Sequence, residues 1–167
     1  MKFRSSFLLS HDIDWFCRID NIPIHGASFG GNIPVRANDE KRMVDILLNI
    51  YKLSENQEGD IYINENYLTS IGIEKDERDD YLSSFLFFAK RGFYSYDRVV
   101  THEDGMLDLD KKTEYALVAA PMNNGIDKDI FSILPFYPKI DNWVKQKIPK
   151  QLFSIERQNC NMMPRNR

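Results

Sequence analysis

Between residues 12 and 29 the hydrophobic positions fall on every second residue: Ile13, Trp15, Cys17 and Ile19 alternate with polar neighbours, and a second alternation begins at Ile22. A period of two marks a β-strand buried on one face. Between the two runs stand Asp20 and Asn21, residue types that tolerate the positive φ of a two-residue hairpin turn. A hairpin closed there pairs Ile19 with Ile22, Cys17 with Ile24 and Trp15 with Gly26 on one face. It pairs Arg18 with Pro23, Phe16 with His25 and Asp14 with Ala27 on the other. Trp15 is then free to lay its ring over the bare backbone of Gly26.

The period changes beyond the small-residue loop Gly26–Pro34. Met43, Ile46, Leu47, Ile50 and Tyr51 fall on one stripe of a helix over 39–53, with Asn38 as its candidate N-cap and Asp39 and Glu40 near its positive end. A loop to Asp60, a strand Ile61–Ile63 and a short helix from Glu65 to Ile71 follow, the last stopped by Gly72. A second main helix is predicted over 76–91. Its first turns are acidic, its last turn holds Lys90 and Arg91, and Gly92 follows. Tyr81, Leu82, Phe85, Leu86, Phe88 and Ala89 form its apolar side; Phe87 falls off that stripe, so the helix is either covered on two sides or meets a partner there.

Strand-forming residues return over 93–100, with a turn near Glu103–Gly105 and two candidates for the returning strand, 106–110 and 115–120. The second, Tyr-Ala-Leu-Val-Ala-Ala, is continuously apolar, as a central strand should be. Helical patterns over 127–134 and 140–148 are separated by Pro135 and Pro138. Strands and helices do not alternate as βαβ units. The fold class predicted is therefore α+β: an antiparallel or mixed sheet with an N-terminal β-hairpin and two main amphipathic helices, in one domain over 1–158 with 159–167 a flexible tail.

Composition narrows the classes of function. At 43% hydrophobic and 28% charged residues over 167 positions, the chain has the makeup of a folded globular protein. Its longest apolar runs fall far short of the roughly 20 residues that cross a bilayer, so no membrane partner is expected. Lys2 and Arg4 precede a short apolar stretch, but His11, Asp12 and Asp14 follow where a secretion signal would stay apolar. Cys17 and Cys160 are too few for a disulfide framework, and a cytoplasmic location follows as the expectation. Abundant Ile, Asn and Lys suggest a bacterial source. The net charge of −3 disfavours a nucleic-acid coat, although residues 139–167 carry seven basic residues against two acidic ones.

Three sets of residues carry candidate chemistry. The hairpin register sets His25 diagonal to Asp14, within bridging distance for an imidazole and a carboxylate, which makes Asp14 and His25 the candidate catalytic pair. The same pair can also serve only to satisfy a half-buried sheet face. His11 and Asp12, with His102 if the sheet brings it near, are metal-ligand types and would take a divalent cation, though no cofactor is called for by any motif. On the strand over 93–100, alternation gathers Tyr94, Tyr96 and Arg98 on one face as a candidate ligand surface, against Phe93, Ser95 and Asp97 on the other. The glycine loop reads as a turn, because Ile33, Pro34, Val35 and Arg36 separate it from the next helix and break any phosphate-binding loop. The expectation that emerges is a non-catalytic protein binding a partner or a small ligand. A metal-assisted or acid–base hydrolase using Asp14 and His25 is the alternative, and nucleic-acid binding through the basic C-terminal segment is a third.

Overall fold

A computed structural model describes residues 1–55, 60–100, 113–123, 125–137 and 152–155. The predicted helix over 140–148, the turn at 103–105, the strand over 106–110, His102, Cys160 and the tail 159–167 lie outside the described residues, as does the basic segment 139–167 apart from residues 152–155.

A six-residue helix, α1 (Ser5–Ser10), leads into the hairpin strands β1 (Asp14–Ile19) and β2 (Ile22–Ala27). Their register is the one the alternation predicts, from Asp14 opposite Ala27 to Ile19 opposite Ile22. Asp20 takes the left-handed φ of 53° that the tight turn requires. One face of the hairpin is closed by Trp15, which is fully buried. Its ring meets Tyr115 edge-on, and its Nε1–H donates to the Tyr115 hydroxyl at 3.1 Å.

The helix α2 (Glu40–Ile50) buries Met43, Ile46 and Ile50. Its N-cap is Asp39 rather than Asn38: the Asp39 carboxylate accepts from the Arg42 amide, while the Asn38 side chain accepts from the Phe3 amide and so is committed to the N-terminal segment. Met43 also brings its sulfur to 3.4 Å from the Phe16 amide, at the edge of β1 that faces away from β2. That edge is closed further along by β6 (Phe136–Tyr137), which pairs in parallel with Arg18 and Ile19. Unpaired strand edges invite pairing with other chains, and here helix and short strand together cover one.

After β3 (Ile61–Ile63) and α3 (Glu65–Ser70) comes α4 (Arg78–Ala89), then β4 (Tyr94–Arg98), β5 (Thr113–Pro121), α5 (Lys128–Ile133), β6 and finally β7 (Leu152–Ile155). Among the described residues seven strands form one mixed sheet in the order β3-β5-β4-β2-β1-β6, and β7 pairs with β5 alongside β3. The pairing of β2 with β4 is parallel; β4 with β5 is antiparallel. The fold is thus α+β with a mixed sheet and an N-terminal hairpin. Strand β5 is central and almost wholly buried, as its continuous apolar run implies.

Two sides of α4 are covered, which resolves the position of Phe87. Phe85 and Phe88 are buried, whereas Phe87 packs at a tilt against Tyr51 and lies 3.7 Å beneath the Arg91 guanidinium. No helix among the described residues is long and apolar enough to cross a membrane.

Candidate functional site

The parallel pairing of β2 and β4 creates the first polar centre. It sets His25 opposite Ser95 and, one row along, Ala27 opposite Asp97, while Ala27 also faces Asp14. Side chains in register on adjacent strands share a face, so Asp14, His25, Ser95 and Asp97 stand on the same side of the sheet.

His25 is fully buried, with Nε2 2.8 Å from Asp14 Oδ1 and Nδ1 3.2 Å from Ser95 Oγ. The Ser95 hydroxyl is itself 3.1 Å from the Phe85 carbonyl oxygen on α4. If Nε2–H donates to Asp14, the hydroxyl proton of Ser95 has two acceptors in reach, Nδ1 and the Phe85 carbonyl; in either arrangement the serine oxygen is engaged. Phe88 packs on the imidazole at 3.9 Å between ring centroids, with Phe16 at 5.5 Å and Phe85 at 6.2 Å. Only the Asp14 carboxylate, 39% exposed, reaches solvent. Serine, histidine and aspartate thus form a chain, but one whose serine end lies under α4.

A second centre lies in the adjoining row. The Tyr81 hydroxyl donates to Asp97 Oδ2 at 2.7 Å, and the Tyr67 hydroxyl lies 3.5 Å from the same oxygen. Burial raises the Asp97 pKa from 3.8 to about 6, and the charge of Asp12 pushes the same way; the Tyr81 bond works against both. Burial together with the Asp97 charge holds both tyrosines well above the usual phenol value.

A carboxyl with a folded pKa above its unfolded one binds its proton more tightly when folded. Stability is therefore lost as pH rises from about 4 through 6. Asp97→Asn, which keeps an acceptor for Tyr81 but cannot ionise, should stabilise the protein by about 2 kcal/mol at pH 7, with the gain vanishing near pH 4. Thermal melts at both pH values read this out, and a gap that stays constant between them would show Asp97 is not the titrating group.

The remaining candidates are not gathered. His11 is exposed and stacks on Phe7 at 3.9 Å, with Nδ1 near Ser10 Oγ. Asp12 turns its carboxylate to the Phe29 amide at 2.7 Å, holding that residue at a positive φ of 38°. No group of three or more His, Cys, Asp or Glu side chains that could hold a metal occurs among the described residues. Tyr94, Tyr96 and Arg98 are packed into the protein rather than displayed. Arg98 donates to the Phe29 carbonyl at 3.0 Å and presses on Gly31, where a Cβ would come within 2.7 Å of Arg98 Cδ. Cys17 is buried, and desolvation pushes its thiol far up, away from reactive thiolate.

Sequence reasoning missed Ser95, Asp97, Tyr67 and Tyr81 as members of a site. The signal that pointed toward two of them was the alternation that put Ser95 and Asp97 on the face opposite Tyr94 and Tyr96. Compared with known proteins, the chain matches no family, no curated protein and no solved structure.

Proposed function

We propose that the protein is a non-catalytic domain that binds a partner or a small ligand, working in the reducing cytoplasm of a bacterial cell. The observation that carries this reading is the enclosure of the Asp14–His25–Ser95 chain. A nucleophilic serine must present its oxygen to a substrate carbonyl, and its base must reach the proton being moved. Here Ser95 and His25 are both fully buried, three phenylalanine rings surround the imidazole, and the serine oxygen is engaged by neighbours inside the sheet face. Such a chain satisfies polar groups under a helix; it does not offer them to a ligand.

An acid–base hydrolase is the second reading, and the observation in its favour is the half-exposed Asp14 bonded to the imidazole at 2.8 Å. A fluorophosphonate, which marks activated serines, separates the two. Native protein incubated with the probe and mapped by mass spectrometry should carry no adduct on Ser95. A Ser95 adduct that disappears in His25→Gln would establish the hydrolase reading instead.

A further inference from the structure

At the opposite end of the sheet from Asp14, the hairpin turn, the end of α4 and the segment entering α5 meet around a cavity of about 210 Å³. Pro23, Ile126 and Phe131 give it apolar walls, and Asn21 and Lys128 give it polar ones. Its shape is fixed at Gly92, whose φ is 99° and whose missing Cβ would stand 2.8 Å from the Ile126 backbone. The chain can lie that close only because residue 92 has no side chain.

Two cations, Lys128 in the cavity wall and Arg18 behind it, have no ion pair among the described residues. Arg18, the cross-strand partner of Pro23, holds its guanidinium 5.2 Å from the Phe131 ring and 5.3 Å from the Phe136 ring. Its Nε is buried with no hydrogen-bond partner among the described residues. Phe131 is therefore common to the cavity wall and to the Arg18 stack. Of the two acids that flank Lys128 in sequence, Asp127 spends its carboxylate on the amides of Asp129 and Ile130, while Asp129 forms no ion pair with a described residue. A guanidinium stacked on aromatic rings with no carboxylate beside it, and a lysine without an ion pair, leave positive charge here that a bound anion would balance.

We propose that this cavity binds a small organic anion, a carboxylate carried on a single ring or a short apolar body. The apolar part would sit among Pro23, Ile126 and Phe131, and the carboxylate would face Lys128 and Asn21 in the field of Arg18. Size agrees: an apolar cavity of about 150 Å³ takes up benzene, so the space here suits one ring with a short anionic arm. The proposal rests on the binding reading above and gives it a ligand class and a place.

Benzoate, neutral benzyl alcohol and cationic benzylamine, titrated separately into ¹⁵N-labelled protein at pH 7, test it. Benzoate should shift the amides of Gly92, Gly125 and Ile126 and bind about tenfold more tightly than benzyl alcohol, with benzylamine weakest. Lys128 is exposed, so Lys128→Gln should fold normally, lose about tenfold in benzoate affinity and leave benzyl alcohol unchanged. The proposal is overturned if benzoate does not bind, if it binds no better than the alcohol, if the shifts map elsewhere, or if Lys128→Gln has no effect. Benzoate has no bond to hydrolyse, so its failure to bind would refute this site alone, whereas a fluorophosphonate adduct on Ser95 would refute the non-catalytic reading alone.

Discussion

Phe88→Ala should lower the free energy of unfolding by about 3–5 kcal/mol, through lost transfer energy and the cavity left behind. Phe88 is 2% exposed, and its ring lies 3.9 Å from the His25 ring, 5.4 Å from Phe16 and 6.4 Å from Phe93. Losing it would uncover the imidazole as well as open a void, so water would compete for the bonds to Asp14 and Ser95. Domains of this kind are stable by about 5–15 kcal/mol in total. The urea midpoint should fall steeply with little change in slope. A loss below about 1 kcal/mol would mean that Phe88 is not the cover of the His25 chain.

Gly26→Val should cost about 3 kcal/mol, at the upper end of what overpacking a core exacts. The first atom added at this position would stand 2.3 Å from Trp15 Cε2 and Cζ2 and 2.7 Å from Nε1. The indole cannot step aside: it is fully buried, it meets Tyr115 edge-on, and its N–H donates to a hydroxyl that in turn donates to the Asn32 carbonyl at 2.7 Å. The penalty is steric and should be conditional. In a Trp15→Leu background, where the struck ring atoms are gone, Gly26→Val should cost clearly less, a coupling that a double-mutant cycle in urea measures. Equal costs in the two backgrounds would remove Trp15 as the cause.

This contact is legible in the sequence because it is local. Two residues with turn chemistry fix the hairpin register, and a slip of one position would have turned Trp15, Cys17 and Ile19 to the wrong face. The bond between Asp14 and His25 follows from the same register. Ser95 and Asp97 arrive by a different route: β4 joins β2 in parallel after a long excursion through α2, β3, α3 and α4. No local period announces the register of a non-local parallel pair. Helix α1 was illegible because Phe7, Leu8 and Leu9 form an apolar run too short to show a period. The N-cap of α2 moved by one residue because Asn38 is spent on Phe3, a contact between segments far apart in sequence. The cavity beside Lys128 is the extreme case, since three distant segments build it and none carries a motif.

Whether the Asp14–His25–Ser95 chain is a structural bond under α4 or a working site is decided most directly by the urea unfolding of Asp14→Ala. Removing the carboxylate leaves a buried imidazole N–H without its acceptor, and the free energy of unfolding should fall by about 1–3 kcal/mol. Substituting a residue held for function at the expense of stability often leaves the protein as stable or more so. An Asp14→Ala midpoint equal to or above that of the parent would contradict the structural role.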